Sequence, residues 1–242
     1  MVPTASTLLS AWEAGAAEAP LDRAPSLLRS LGEIPPDQNL GAMTVGQCEA
    51  RLFELRRALF GDLLEAVATC PTCGADVELN LSLAELGPPL AEHASAAITL
   101  RQSNHAVAFR VPCNEDLRWL GAAEPEQAIG ELVERCLIEA RTADGHPVAA
   151  AQLPLELQQA ILEAMAAADP GAQTLLEVSC PCGAAWVDEL DIRSVVWTDL
   201  TDWVGRTLTE VHQLARAYGW AEAEILGMGA WRRRWYLEAL GW

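Results

Sequence analysis

Apolar residues recur at steps of three and four positions along most of this chain, a spacing that places them on one face of an α-helix. Thr44 followed by Gln47 is typical of a helix start in which the two residues cap each other. That helix is expected to continue through Leu63 and to end just before Cys70. The pattern predicts helices around residues 8–12, 21–31, 44–69, 125–140, 155–165, 197–218, 222–226 and 231–240.

Short stretches between these helices alternate apolar and polar residues, which predicts half-buried β-strands. Val77, Leu79 and Leu81 give the clearest alternation. The predicted strands are residues 77–81, 107–111 after a turn at 102–104, 175–178 and 186–187. The chain therefore combines many helices with a few short strands.

Composition and charge narrow the class of protein. Half of the 242 residues are hydrophobic (51%), so the chain can bury a sizeable core. Every basic residue is arginine, and a net charge of -18 disfavours non-specific attraction to nucleic acid or anionic membranes. No basic leader precedes the first apolar stretch, and no run approaches the ~18 apolar residues that a spanning helix needs. We expect a cytoplasmic location, no membrane insertion and partners that are neutral or basic.

Four of the seven cysteines lie in two tight clusters, Cys70-Pro71-Thr72-Cys73-Gly74 and Cys180-Pro181-Cys182-Gly183. In a reducing compartment such clusters favour metal binding over disulfides. Cys70, Cys73, Cys180 and Cys182 could supply the four thiolates of a structural Zn²⁺ site, although the second turn separates its cysteines by a single residue. Two alternatives stay open, which are ordinary reduced thiols and a redox dithiol.

The remaining cysteines have structural interpretations. Cys48 and Cys136 lie on the apolar stripes of their predicted helices, where cysteine behaves as a small hydrophobe. Cys113 lies at a strand-to-helix junction, which favours a packing or capping role. No metal-ligand spacing relates the four histidines, His93, His105, His146 and His212.

Together these features predict an α+β fold that is mainly helical. Short β-hairpins would form a split, zinc-ribbon-like knuckle with a helical insertion between its halves, and a helical tail would follow. The predicted domains are an N-terminal helical region over residues 1–66, the split knuckle with its insertion over 67–192, and the C-terminal tail over 193–242.

The sequence contains no recognisable catalytic motif. It has no nucleophile elbow, no P-loop and no His-Glu-x-x-His, and the His-x-Glu of zinc deaminases is missing. A site closed by four thiolates also leaves no position for a substrate or a water molecule. We therefore expect a protein that is not an enzyme and takes no small-molecule substrate.

Several stretches of the chain carry a resemblance to a known family. They are Phe109-Arg110-Val111-Pro112, Asp116-Leu117, Asp169-Pro170, Cys180-Pro181-Cys182-Gly183, Trp186, Leu190-Asp191-Ile192, Glu210 to Trp220, Glu222, Glu224-Ile225-Leu226 and Arg232 to Leu237. Together they resemble the T-even-phage-type baseplate hub assembly chaperones, which also occur in the gene clusters of contractile injection systems. The resemblance covers residues 70–242 and is loose over the first 66.

This resemblance implies a non-catalytic factor that binds hub, spike or tube proteins while a baseplate assembles. Tryptophan and arginine dominate many interfaces, so the tail is expected to be a main partner-binding element. Its candidate residues are Tyr218, Trp220, Trp231, Arg232, Arg233, Arg234 and Trp235. For the tail, the alternative is that this terminal helix packs its aromatic face on its own domain. A zinc-ribbon adaptor for nucleic acid or transcription is the alternative, although the arginine clusters Arg56-Arg57 and Arg232 to Arg234 are few for that purpose.

Overall fold

The computed structural model of the protein describes residues 3–89, 97–120 and 125–241. His93 and Trp242, the last residue of the predicted tail, lie outside the described residues. The described helices are α1 (Ala5–Ala16), α2 (Pro20–Ser30), α3 (Val45–Phe60), α4 (Leu83–Leu86), α5 (Asn114–Leu120), α6 (Pro125–Cys136), α7 (Leu155–Ala168), α8 (Ile192–Tyr218), α9 (Glu222–Leu226) and α10 (Ala230–Ala239). The described strands are β1 (Leu63–Thr69), β2 (Asp76–Ser82), β3 (Ile98–Gln102), β4 (His105–Phe109), β5 (Leu137–Thr142), β6 (Leu175–Ser179) and β7 (Ala185–Glu189).

The strands form three small antiparallel sheets, β1–β2, β3–β4–β5 and β6–β7. The fold is therefore α+β and mainly helical, as the sequence predicts. The chain divides into two compact units that are not consecutive in sequence. Unit 1 contains α1, α2, the last turns of α3 and α8 to α10, and unit 2 contains the start of α3, the strands and α4 to α7.

Unit 1 is a helical unit in which α1 and α2 pack against α8. The buried side of α8 repeats at steps of three and four residues, as an amphipathic helix requires. It consists of Ile192, Val196, Leu200, Val204, Thr207, Val211 and Leu214. Trp12 stacks on Trp197 with ring centroids 6.5 Å apart and donates a 3.0 Å hydrogen bond to Thr201. These contacts fix the first helix on the long one.

Unit 2 contains a core between the three-stranded sheet and helices α6 and α7. Its buried members are Val107, Phe109, Val133, Cys136, Ala140, Leu153, Leu157, Ile161 and Met165. Ser103 and Asn104, both with positive φ, form the two-residue turn between β3 and β4. The capping pair that starts α3 is confirmed, because the amides of Thr44 and Gln47 each bond the other residue's side chain, at 3.1 and 3.2 Å.

Two predicted helices are too long at their C-terminal ends. The helix begun at Thr44 ends at Phe60, and Leu63 belongs to β1, whose backbone pairs with β2 along its whole length. The helix from residue 125 ends at Cys136, and the segment after it forms β5 because its backbone pairs with β4. In both places strand pairing replaces a predicted helical turn.

One predicted strand is also too long. The strand predicted through Val111 ends at Phe109. Val111 is nevertheless buried, in the loop that follows. Its apolar side chain therefore marks burial and not strand pairing.

Candidate metal centre and C-terminal surface

The first cysteine turn closes the β1–β2 hairpin. Ladder pairing runs to Thr69 and Asp76, so the turn begins directly after a pair of strands. Within the turn the Cys70 amide donates to Ala75 O and the Gly74 amide donates to Cys70 O, both at 2.9 Å. Gly74 has a φ of +72°, a left-handed conformation that glycine adopts without steric cost. The turn therefore holds its two cysteines on a short, hydrogen-bonded scaffold.

The second turn closes the β6–β7 hairpin in the same way with one residue fewer. Its Cys180 amide donates to Ala184 O and its Gly183 amide donates to Cys180 O, both at 2.9 Å. Gly183 has a φ of +92°. In both turns the glycine amide donates a hydrogen bond to the carbonyl of the first cysteine. The turn is therefore closed in the same way despite the shorter spacing between Cys180 and Cys182.

The two turns bring all four predicted cysteines together. Cys70 Sγ lies 3.7 Å from Cys182 Sγ, and Cys73 Sγ lies 3.7 Å from Cys180 Sγ. The four sulfurs all lie within 4.8 Å of one another and could hold a metal ion. The first cysteine of each turn is buried and the second is exposed. Within the described parts of the chain, no other group of three or more His, Cys, Asp or Glu side chains is arranged in this way.

The thiols have divergent acidities. Backbone amides, chiefly that of Cys73, outweigh burial and lower the pKa of Cys70 to about 6. At Cys180 the Cys182 amide lowers the pKa, but burial and the three neighbouring thiols together raise it to about 12. The Ala75 amide lowers the pKa of Cys73, but the thiols of Cys70 and Cys182 raise it above its ordinary value. One thiol therefore ionises readily, and its negative charge makes the neighbouring thiols harder to ionise.

The other three cysteines lie away from this cluster. Cys48 and Cys136 are buried in α3 and α6, and Cys113 is buried just before α5, which confirms their structural interpretation. The Cys113 amide donates a 2.9 Å hydrogen bond to Asp116 Oδ2, and its thiol lies 3.1 Å from the same oxygen. Cys113 therefore helps to hold the first turn of α5.

Asp116 is the centre of a buried ionic cluster that the sequence did not indicate. Arg110 donates to both of its carboxylate oxygens, at 2.6 and 3.0 Å, and Arg135 donates to Oδ1 at 3.1 Å. Burial raises the pKa of Asp116, but the Arg110 guanidinium and the amide and thiol of Cys113 hold it well below its usual range. The one signal available in the sequence was the spacing of Arg110, within a predicted strand, and Asp116, six positions later.

The predicted tail residues divide into a packed base and an exposed face. At the base, Tyr218, Trp220 and Tyr236 form an aromatic cluster with ring centroids 4.5 to 5.6 Å apart. Arg233 is only 4% exposed, and it donates to Glu210 Oε2 and to Met228 O, both at 2.8 Å. Arg233 therefore attaches α10 to α8 and does not lie at the surface.

The exposed side of α10 includes Trp231, Trp235, Arg232 and Arg234, which we refer to as the α10 face. Glu238 is also exposed, about one turn beyond Trp235. Trp231 is 79% exposed and Trp235 is 54% exposed. Both arginines are exposed, and the Arg232 guanidinium lies 5.9 Å from the centre of the Tyr236 ring. Large aromatic side chains at such exposure are characteristic of interaction surfaces.

Comparisons of the chain with protein-family models, with curated proteins and with solved structures give no match. Across residues 3–89, 97–120 and 125–241, no helix combines the length and apolar character needed to cross a membrane.

Proposed function

We propose that this chain is a non-catalytic assembly factor for a phage-like baseplate hub, as an assembly chaperone or a minor component that binds hub, spike or tube proteins. The observation that carries the proposal is the α10 face, where Trp231 and Trp235 are exposed on a helix fixed by Arg233 and Glu210. A rigid base lowers the entropy lost when such a surface meets a partner. The resemblance of residues 70–242 to hub assembly chaperones supplies the class of partner.

We also propose that the four-cysteine cluster binds Zn²⁺ and has a structural role. With Zn–S bonds of about 2.3 Å, a tetrahedral site has edges of about 3.8 Å between its sulfurs. The two Sγ–Sγ distances of 3.7 Å agree with that edge. When bound, the ion offsets half of the negative charge of four thiolates and connects the β1–β2 turn to the β6–β7 turn.

The same donor set supports a non-catalytic role for this site. Four cysteines complete the tetrahedral coordination of zinc, so no position is left at which a water molecule or a carbonyl group could be activated. Catalytic zinc sites keep such a position by using three protein ligands.

Co-purification tests the proposed partners. A tagged chain would be produced with the hub, spike and tube proteins of a contractile tail or injection system from the same genome. The wild type should retain one of these proteins, and the Trp231→Ala/Trp235→Ala variant should lose it. Because most of each indole is already in water, this variant should melt within about 4 °C of the wild type.

Leu155→Ala is the matched control, since Leu155 is an exposed apolar residue on α7, outside the α10 face. It should retain the partner. Partner capture that survives loss of both tryptophans, or capture of none of these proteins by the wild type, would contradict the proposal.

Nucleic-acid binding tests the alternative function. Arg56 and Arg233 are buried in ion pairs with Asp199 and Glu210, so two of the clustered arginines are not offered to phosphates. We expect duplex and single-stranded oligonucleotides to show no sub-micromolar binding at physiological salt in fluorescence anisotropy, because strong binding needs about six to ten basic contacts. Tight binding with a steep salt dependence would favour the nucleic-acid adaptor instead.

A further inference from the structure

The outer surface of the β6–β7 hairpin carries a compact pattern of apolar and acidic residues, Leu175, Glu177, Val187 and Glu189, which we refer to as the hairpin face. Leu175 and Val187 are 59% and 61% exposed, and both glutamates are exposed. In the ladder Leu175 lies opposite Glu189, and Val187 lies opposite Glu177. The two apolar residues therefore occupy one diagonal of a square, and the two carboxylates occupy the other.

The α10 face carries the complementary pattern. Successive residues of a helix are about 100° apart, so Trp231 and Trp235 lie together with Arg232 on one side and Arg234 on the other. The same rotation directs Arg233 to the opposite side, which agrees with its burial. The face thus presents two aromatic side chains between two positive charges. The exposed Glu238 lies on the same side of the helix, about one turn beyond Trp235.

The spacings of the two faces also agree. Residues four apart on a helix have Cβ atoms about 5–6 Å apart, and diagonal neighbours in a sheet are separated by about 7 Å. Two indole rings can therefore lie over Leu175 and Val187 while the arginines reach Glu177 and Glu189. Aromatic and arginine side chains are enriched in the buried centres of protein interfaces, so the α10 face has the composition of such a centre.

We propose that the α10 face of one copy of this chain binds the hairpin face of a second copy. The inference goes beyond the proposed function, because it names a second copy of this chain as a binding partner of the α10 face. The interface joins two different surfaces. Two copies form a closed dimer if each binds the hairpin face of the other, and longer assemblies form if each copy binds a different neighbour.

The overall charge of the chain sets the salt dependence of this contact. Two copies that each carry a net charge of -18 repel one another at long range. At an ionic strength of about 0.15 M, charges separated by more than about 8 Å are largely screened, whereas contacts at the interface persist. Self-association should therefore be stronger at physiological salt than in dilute buffer.

Light scattering coupled to size-exclusion chromatography tests the proposal on the purified full chain. At physiological salt the mean mass should rise above that of one chain over roughly a hundredfold range of concentration. Trp231→Ala/Trp235→Ala and Glu177→Arg/Glu189→Arg should each weaken association by roughly thirtyfold or more. Metal content and melting curves establish that each variant is folded.

Two charge-reversal variants, one on each face, provide the most specific test. Arg232→Glu/Arg234→Glu and Glu177→Arg/Glu189→Arg should each be monomeric alone, because like charges then meet across the interface. Mixed together they should associate, since every contact between unlike copies is again between opposite charges. The inference would be overturned by a wild type that stays monomeric at every concentration. It would also be overturned if the substitutions at Glu177 and Glu189 left association unchanged. Either result leaves capture of hub, spike or tube proteins to be judged by its own experiment.

Discussion

At the scale of single residues, the ionic cluster around Asp116 depends on contacts between distant parts of unit 2. A buried carboxylate is costly unless it is ion-paired and hydrogen-bonded. Arg110 and Arg135 supply positive charge, and the Cys113 amide donates a further hydrogen bond. Sequence reasoning predicted a packing or capping role for Cys113. It did not find the two arginines, because nothing in a linear pattern shows that Arg135 at the end of α6 reaches the first turn of α5.

Replacing Asp116 by Asn should lower the free energy of unfolding by about 3 kcal/mol at pH 7, as measured by urea titration. This value is at the lower end for a broken buried ion pair, because both arginines are partly exposed. The matched control is Asp144→Asn, an exposed aspartate in the turn after β5, which should change stability by about 0.5 kcal/mol or less. Equal stabilities of the two variants would contradict the role given to the cluster.

The same substitution gives a pH dependence with a defined sign. The pKa of Asp116 is held below its usual range in the folded state, so its contribution is fully present above the unfolded value of about 3.9. The contribution is lost as the pH falls below that value toward the folded pKa. The stability difference between wild type and Asp116→Asn should therefore be constant from about pH 5 to pH 7 and shrink below about pH 4. A stability difference that grew as the pH fell would contradict a lowered pKa of Asp116 in the folded state.

At the scale of elements, local signals predicted where helices begin better than where they give way to strands. Thr44 and Gln47 form their capping pair because both partners lie within one turn. Leu63, Leu137 and Ala140 fit a helical stripe, yet their backbone groups pair with β2 and β4, and such pairing decides between two local conformations of similar energy. Sequence periodicity alone does not contain that information.

Neighbouring arginines in α10 should have unequal effects on stability. Arg233→Ala removes a buried ion pair with Glu210 and a hydrogen bond to Met228 O, so the free energy of unfolding should fall by about 2–3 kcal/mol. Arg234→Ala is the matched control, since Arg234 is exposed, and its effect should be about 0.5 kcal/mol or less. Thermal unfolding followed by circular dichroism measures both. Similar melting temperatures for the two variants would mean that Arg233 does not anchor the helix.

At the scale of the whole molecule, the two cysteine turns connect distant parts of one chain. Cys70 and Cys182 are 112 positions apart, and both belong to unit 2. A cross-link that closes a loop of about 100 residues removes entropy from the unfolded chain equivalent to about 4–5 kcal/mol of stability. Sequence spacing predicted which cysteines meet, because each turn carries its own glycine. Helical periodicity places Arg233 opposite Trp231 and Trp235, but the sequence alone does not show which of these two sides is buried.

The zinc ion proposed to join these turns is tested most directly by the zinc content of the purified protein, measured by mass spectrometry together with its melting temperature. We expect about one zinc per chain and a sharp drop in melting temperature with a strong chelator, because zinc binds the folded chain and not the unfolded one. Cys73→Ser should lose the metal, whereas Cys48→Ser and Cys136→Ser should keep it, since their thiols lie in helices outside the cluster. A metal-free wild type whose melting temperature does not respond to the chelator would contradict the zinc centre.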